Sequence, residues 1–228
     1  MKSKDVQSKR ANIKASRRED TPTSPWCDLC VLVALYGRHQ TYLRYLQHLS
    51  AAAARYPAKV QLRVALYADP SGEHKLSRNA SEGNKVLNIS VLELQGRFSR
   101  AIALNTLSQG LDANAVLVFG NVDLVLTDGF LRRVTMIVKP GRAYFPIFLS
   151  KCSTEVVCYG RPNCTLGLFD FSRDAGLWRS FNYGTVGITA ADMRSAGGLD
   201  TRTIGRGKED VDFHDRLLAG LLGSFNGT

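Results

Sequence analysis

The sequence predicts an α/β fold whose central sheet is mostly parallel. Residues 29–36 form a continuous apolar run that stops at Gly37. Such a run is typical of a strand that is buried on both faces of a parallel sheet. Residues 39–55 then carry apolar side chains at helical spacing, and residues 60–67 alternate between polar and apolar side chains as a strand does. A strand, a helix and a second strand in this order form a βαβ unit, whose two strands lie parallel.

The next segments continue this alternation. A turn at residues 69–72 is followed by the polar residues 73–85, which predict a loop or a short exposed helix. Three further elements follow, a strand at 86–94, a helix at 97–107 and a strand at 115–120. Because ligands of open α/β sheets bind beyond the carboxyl ends of the strands, the residues after Phe119 are expected at a functional site.

The second half of the chain has a weaker pattern. Residues 142–148 predict a strand, whereas residues 150–183 hold cysteine, proline, glycine and asparagine at a density typical of loops. Glycines at 197–198 and 205–207 indicate tight backbone, and residues 210–222 predict a helix. The sequence contains no internal repeat.

Composition and charge divide the chain into a tail and one domain. The chain has 228 residues, of which 44% are hydrophobic and 22% charged, and this composition excludes a disordered or fibrous protein. Residues 1–26 are expected to form a basic, disordered tail, and residues 27–228 the folded domain. The net charge of +10 favours anionic partners, but no aromatic stripe or recognition motif supports binding to nucleic acid.

The five cysteines predict no zinc site. Cys27 and Cys30 form a CxxC motif, yet no second CxxC or nearby histidine pair completes a set of four ligands. Cys152, Cys158 and Cys164 lie close enough in the sequence for a local disulfide, provided that the compartment is oxidising. The odd number leaves one thiol unpaired or bound to another chain.

Glycosylation sequons favour the lumen of the secretory pathway. Four N-x-S/T sequences occur, and they start at Asn79, Asn88, Asn163 and Asn226. No apolar stretch reaches the roughly 18 residues of a membrane span, and no apolar run follows the basic N-terminus as it would in a signal peptide. The sequence therefore favours a luminal glycoprotein and shows neither an anchor nor a signal peptide.

Two polar segments are candidates for chemistry. Asn121 and Asp123 follow the central strand on the same side, where a carboxylate can hold a divalent cation against a diphosphate. The alternative is an ordinary turn at the end of a strand. Glu209 and Asp210 stand between a glycine-rich turn and the start of a helix, where they either complement the helix dipole or supply a base that deprotonates a sugar hydroxyl.

Six blocks of sequence, taken in order, resemble one known family. The blocks are residues 96–101, 118–125, 144–150, 176–179, 183–184 with 197–200, and 205–212. In order and approximate spacing they resemble the chondroitin synthase and chondroitin N-acetylgalactosaminyltransferase family, which is related to β1,4-galactosyltransferases. The resemblance covers roughly residues 28–218.

The resemblance implies a GT-A fold and a metal-dependent, inverting glycosyltransferase. Such an enzyme would transfer a hexose derivative, GalNAc or GlcUA, from a UDP-sugar to a glycosaminoglycan chain in the Golgi lumen, with Mn²⁺ as the ion. A membrane anchor is expected of the family and is not visible in this sequence. The alternative is a catalytically weak or inactive GT-A-fold partner, a binding module that assists an active chondroitin synthase as its second subunit.

The resemblance also assigns roles to individual residues. Glu209 and Asp210 match the acidic pair that holds the general base, and Asp210 is the predicted base. Asp123 matches the metal-binding acid. The residues matched to nucleotide, donor or acceptor binding are Arg38, Arg97, Arg100, Asn121, Asp123 and Trp178.

Three features depart from the family pattern. Asn121 stands where the family has the first acid of its DxD motif, so it keeps a hydrogen-bonding group and loses a charge. Arg206 stands where a tryptophan is usual between two glycines. The histidine-containing segment that completes the family's metal site is expected beyond Thr228, so the domain is expected to be incomplete at its C-terminus.

Overall fold

The computed structural model describes residues 27–151, 176–179, 183–202 and 208–225. The strands are β1 (Leu29–Tyr36), β2 (Val60–Tyr67), β3 (Asn88–Leu94), β4 (Val116–Gly120), β5 (Phe148–Lys151), β6 (Gly176–Arg179) and β7 (Gly187–Thr189). The helices are α1 (His39–Ala54), α2 (Glu73–Glu82), α3 (Arg100–Leu107), α4 (Asp128–Ile137), α5 (Ala190–Ser195) and α6 (Lys208–Phe225).

Five strands form the central sheet in the order β3-β2-β1-β4-β7. The pairs β1–β2, β2–β3 and β1–β4 are parallel, and only β7 runs antiparallel, beside β4. This sheet confirms the predicted mixed α/β fold with a mostly parallel centre, as in a GT-A-like domain. The strands β5 and β6 form a separate antiparallel pair.

Helices cover both faces of the sheet because β1 is apolar on both sides. Leu29, Val31 and Val33 pack in the layer that contains α1 and α4. Cys30 and Leu32 point to the opposite face and pack in the layer that contains α3, α5 and α6. The continuous apolar run of β1 is therefore explained by burial on two faces, since alternate residues of a strand point in opposite directions.

Most predicted elements of the first half are confirmed. The strands at 29–36 and 60–67 have the predicted bounds, and the first helix ends one residue early. Residues 73–82 form the short helix rather than the loop. The helix predicted from residue 97 begins at Arg100, because the Ser99 hydroxyl accepts a hydrogen bond from the Ile102 amide and caps the first turn.

The second half corrects one prediction and adds elements. The strand predicted at 142–148 is wrong for most of its length, because β5 begins only at Phe148. Pro146 lacks an amide hydrogen for a sheet ladder, and Tyr144 makes only an isolated bridge with Gly187. The elements α4, α5, β6 and β7 were not predicted, and β6 lies within residues 150–183, which were expected to be a loop. The helix predicted at 210–222 is confirmed and extends over α6.

Cys27 and Cys30 form a disulfide at the start of β1. Cys152, Cys158 and Cys164 lie outside the described residues, so their pairing stays a prediction. The predicted tail, residues 1–26, also lies outside them. Within the described part of the chain, no helix is long and apolar enough to cross a membrane.

The carboxylate of Asp69 caps α2 from the preceding turn. It accepts hydrogen bonds from the amides of Glu73 at 3.3 Å and His74 at 2.8 Å, from His74 Nδ1 at 3.2 Å and from the Ser71 hydroxyl. These donors, led by Ser71, lower the pKa of Asp69 to about 2. The N-cap residue of the helix is Gly72, which makes no side-chain cap of its own.

Replacing Asp69 by alanine is expected to lower the free energy of unfolding by about 1–2 kcal/mol, because the helix loses its N-terminal acceptor. The folded pKa lies below the unfolded value of about 3.9, so this stabilisation is full above pH 4 and is lost as the pH falls towards 2. Urea unfolding of both proteins at neutral and acidic pH measures the difference. A difference that stays constant down to pH 2 would contradict this account.

Candidate functional site

The candidate site lies where the carboxyl ends of β1 and β4 meet. The chain leaves β1 to one side through α1 and reaches β4 from the other side through α3, so these neighbouring strands form the switch point of the sheet. Gly37 and Arg38 follow β1 with φ angles of 59° and 58°. The Arg38 carbonyl then accepts the Tyr42 amide at 2.9 Å, which starts α1. This left-handed turn places Arg38 at the crevice.

A polar pocket of about 180 Å³ opens at this point. Its lining consists of Ala34, Arg38, Arg100, Asn121, Val122, Asp123, Gly184 and Asp210. Five of the residues predicted for the site therefore line one cavity, although they come from four separate segments of the chain. As predicted, Asn121 and Asp123 face the same side.

Arg100 connects the sheet to the start of α6. Its side chain is only 5% exposed, and its guanidinium donates hydrogen bonds to Asp210 Oδ1 and to the Gly184 carbonyl. Burial raises the pKa of Asp210, while the charge of Arg100 opposes this rise and the neighbouring Glu209 adds to it. Asp210 Oδ2 makes no hydrogen bond with any described residue. The pocket thus holds a fixed carboxylate whose second oxygen can accept a proton.

Glu209 occupies a different environment from Asp210. It is 1% exposed, and neither of its carboxylate oxygens has a hydrogen-bond partner among the described residues. It lies in the first turn of α6. Glu209 does not line the pocket. The glycine-rich turn that contains Arg206 lies outside the described residues.

Arg38 and Asp123 form an ion pair across the mouth of the pocket. Arg38 Nη1 lies 3.7 Å from Asp123 Oδ2, and the two side chains are 47% and 60% exposed. An exposed pair at this distance contributes little to stability, because water screens it. Both groups can therefore exchange this partner for a ligand at small cost.

The described residues do not form a complete site for a resident metal ion. Among them, no three His, Cys, Asp or Glu side chains come together. Of the two carboxylates in the pocket, Asp210 is bound by Arg100 and Asp123 faces Arg38. Asn121 offers a neutral oxygen. A hard divalent cation takes six or more oxygen ligands, so Asp123 and Asn121 would supply a minority of them.

Two predicted residues are not among the described residues that line the pocket. Arg97 is exposed in the loop between β3 and α3, and it does not line the pocket. Trp178 lies on β6, where it pairs with Leu149 of β5. The side chain of Trp178 lies outside the described part of the structure. The roles that the family resemblance implies for both residues stay predictions.

An aromatic pair that was not predicted lies at the end of β1. Tyr36, the last residue of β1, is 42% exposed, and its ring centroid lies 6.0 Å from that of Phe98. Phe98 in turn contacts Tyr67 at 5.2 Å. Tyr36 directly precedes the Gly37–Arg38 turn, and Phe98 directly precedes Ser99, the N-cap of α3. The available signal was Phe98 itself, which stands in the 96–101 block.

A second aromatic group lies beyond Gly184 and Asp210. The ring centroids of Tyr183 and His214 are 4.1 Å apart, and Phe145 packs against His214 at 4.9 Å. Tyr183 directly precedes Gly184, and His214 lies one helical turn after Asp210 on α6.

A second, larger cavity lies elsewhere and has a different character. A mostly apolar groove of about 440 Å³ runs between the loop at 141–143, α5 and α6. Its lining includes Ile188, Leu217 and Arg216. Among the predicted site residues whose side chains are described, none lines it, so chemistry rather than size selects the smaller pocket.

Comparison with known proteins gives one family. A family model described as chondroitin N-acetylgalactosaminyltransferase matches residues 25–225. Human chondroitin sulfate synthase 3 is 30% identical over 198 residues, which are 84% of this chain and 22% of that protein. Mouse chondroitin sulfate N-acetylgalactosaminyltransferase 1 is 26% identical over 195 residues, 82% of this chain and 37% of that protein.

The human N-acetylgalactosaminyltransferase 2 of the same type is 26% identical over 200 residues, which cover 84% of this chain and 36% of that protein. The chain thus spans between about a fifth and just over a third of the length of these curated relatives. The matched region contains the whole pocket, from Ala34 to Asp210.

Proposed function

Because the chain belongs to the chondroitin N-acetylgalactosaminyltransferase family, we propose that the pocket between β1 and β4 binds a UDP-sugar and supports transfer of its sugar to a glycosaminoglycan chain. One observation carries this proposal. Four distant segments of sequence bring two arginines, an asparagine and two aspartates into one polar cavity at the switch point of the sheet. Switch points are where α/β sheets bind nucleotides.

The strand ends supply groups for the nucleotide. The exposed face of Tyr36 and the adjacent Phe98 offer a platform on which a uracil ring can stack. Arg38 lies two residues after Tyr36 and places a guanidinium over the pocket, where it can donate two hydrogen bonds to a phosphate. The base and the diphosphate thus have separate partners.

Asp210 is the proposed general base of an inverting transfer. An acceptor hydroxyl gives its proton to Asp210 Oδ2 while its oxygen attacks the anomeric carbon from the face opposite the nucleotide. The bond between that carbon and the diphosphate oxygen breaks, and UDP leaves with the electron pair. Arg100 holds Oδ1, so it orients the carboxylate, and burial raises its pKa towards the range where a base is efficient.

The direct test offers two donors to the purified chain. UDP-GalNAc and UDP-GlcUA are each incubated with chondroitin oligosaccharides of both possible non-reducing ends, and the products are resolved by mass spectrometry. We expect one donor to extend one type of end by a single sugar. If neither donor is consumed, the proposed transfer is wrong for this chain as it stands.

The raised pKa of Asp210 makes a separate prediction. Transfer is expected to rise with pH as Asp210 loses its proton, and the acid limb of kcat/KM is expected above the ordinary aspartate value of 3.8. The cause is desolvation, which favours the neutral acid. A pH–rate profile between pH 3.5 and 8 measures this limb. A limb at or below 3.8 would contradict the assignment of Asp210.

A second candidate function is a binding partner of an active chondroitin synthase. The observation that favours it is that both pocket carboxylates are already paired with arginines, while Asn121 stands in the place of a family acid. Binding of UDP without transfer, followed by stimulation of an active synthase, would support this candidate. Manganese, the Golgi lumen and the second subunit stay predictions of the family resemblance.

A further inference from the structure

The two described carboxylates of the pocket form ion pairs with arginines. Asp123 Oδ2 lies 3.7 Å from Arg38 Nη1, and Asp210 Oδ1 accepts from Arg100. Asn121, which also lines the pocket, carries no charge. Both carboxylates that line the pocket among the described residues therefore have a cationic partner. A divalent cation bound at Asp123 would have to displace the guanidinium of Arg38 or lie beside it.

The backbone holds Arg38 at the mouth of the pocket. Arg38 has a φ of 58° and is the one non-glycine residue with positive φ among the described residues. Its carbonyl accepts the Tyr42 amide at 2.9 Å, and the next amide, that of His39, donates to Glu73 Oε2 at 3.3 Å. An arginine retained in a conformation that glycine adopts more easily suggests that its side chain has a role here.

We propose that Arg38 supplies the positive charge that binds the diphosphate, so that this chain binds UDP without a divalent cation. The inference rests on the proposed nucleotide site and concerns what neutralises the nucleotide there. In the free protein Asp123 holds the guanidinium over the cavity. When the diphosphate enters, the guanidinium of Arg38 leaves its ion pair with Asp123 and donates hydrogen bonds to phosphate oxygens. Asp123 is then a repulsive neighbour of the nucleotide and does not act as a metal ligand.

If Asp123 only pairs with Arg38, its replacement is expected to change the affinity for UDP in the opposite direction from the replacement of a metal ligand. If Asp123 were the ligand of an essential cation, then its replacement by asparagine would weaken UDP binding. If Asp123 only pairs with Arg38, the same replacement removes a negative charge and releases the arginine, so UDP binding is expected to strengthen by about threefold to tenfold. The sign of one change in affinity distinguishes the two roles.

Calorimetric titration of UDP into the full chain tests the inference, once with EDTA and once with MnCl₂. The variants are Asp123→Asn, Arg38→Lys and Arg38→Gly, the last chosen because glycine adopts a positive φ without strain. Arg44→Ala, which removes an exposed arginine of α1 outside the pocket, is the matched control. Thermal melting of each variant confirms that it folds.

We expect UDP to bind in EDTA with an affinity that Mn²⁺ changes by less than about twofold. Arg38→Gly is expected to weaken this binding about tenfold or more, Arg38→Lys less, and Arg44→Ala hardly at all. Binding that requires Mn²⁺ and is lost in Asp123→Asn would overturn the inference and leave the proposed function intact. The absence of UDP binding under both conditions would overturn the proposed function as well.

Discussion

Replacing Arg100 by methionine is expected to lower the free energy of unfolding by about 3–5 kcal/mol, the largest effect on stability of any change considered for the pocket. The guanidinium is 5% exposed and serves two acceptors, Asp210 and the Gly184 carbonyl. Methionine fills a similar volume but donates nothing, so it leaves a mostly buried carboxylate and a carbonyl without their partner. Urea unfolding followed by circular dichroism measures the loss.

The matched control for this change is Arg78→Met. Arg78 is also an arginine with two acceptors, Glu82 at 2.9 Å and Glu93 at 2.6 Å, but its side chain is 39% exposed. Since water replaces the lost bonds, this variant is expected to lose less than about 1 kcal/mol. The double variant Arg100→Met with Asp210→Asn is expected to lose less than Arg100→Met alone, because the unpaired charge is gone. Equal losses of unfolding free energy for Arg100→Met and Arg78→Met would contradict the claim that Arg100 and Asp210 form a buried ion pair.

Replacing Asp210 by asparagine is expected to lower kcat for sugar transfer by roughly 10²–10⁴-fold, because the acceptor hydroxyl loses its base. Asparagine keeps the shape of the side chain and an oxygen that Arg100 can reach. The pocket is therefore expected to keep its UDP affinity within a few-fold. Initial rates with the donor identified by the transfer assay, together with calorimetry of UDP, measure the two effects separately.

Asp215→Asn is the control for this prediction. Asp215 lies on the same helix, is 68% exposed and does not line the pocket, so its replacement is expected to leave kcat within about twofold. The assignment of Asp210 as the base is wrong if Asp210→Asn transfers sugar with the same kcat as Asp215→Asn. A loss of UDP affinity parallel to the loss of kcat would instead indicate that Asp210 acts through the shape of the pocket.

The central strands and the helices beside them could be predicted because their signals are local. The apolar run of β1 and the alternation of β2 depend only on neighbouring residues, and both strands have the predicted bounds. Turn signals also identified the strand ends at which Arg38 and Asp123 lie. The approximate position of the candidate site therefore follows from sequence patterns and from the rule for parallel sheets.

The contacts that define the pocket could not be predicted in this way. Arg100 and Asp210 are 110 positions apart, and their pairing depends on the packing of α3 against α6. The burial of Glu209 could not be predicted either, since acids in the first turn of a helix are usually solvated. Phe145 and its neighbours read as a strand locally, yet the ladder is interrupted at Pro146.

The elements that were missed had weak local signals. Helix α4 begins at Asp128, where the Thr127 hydroxyl accepts the Phe130 amide at 3.1 Å. This cap is a sequence feature from which the start of the helix could have been predicted. Strand β7 has only three residues and is held by pairing with β4, so no period within its own sequence could identify it.

The central claim is that UDP binds at the switch point between β1 and β4. Its most direct test is NMR of the isotope-labelled chain, in which UDP is titrated and shifts of the backbone amides are assigned. The account predicts shifts concentrated at residues 34–38, 98–100, 121–123 and 208–210, around the 180 Å³ pocket. Shifts confined to the apolar groove at 141–143 and 188–196, or no shifts at all, would contradict it.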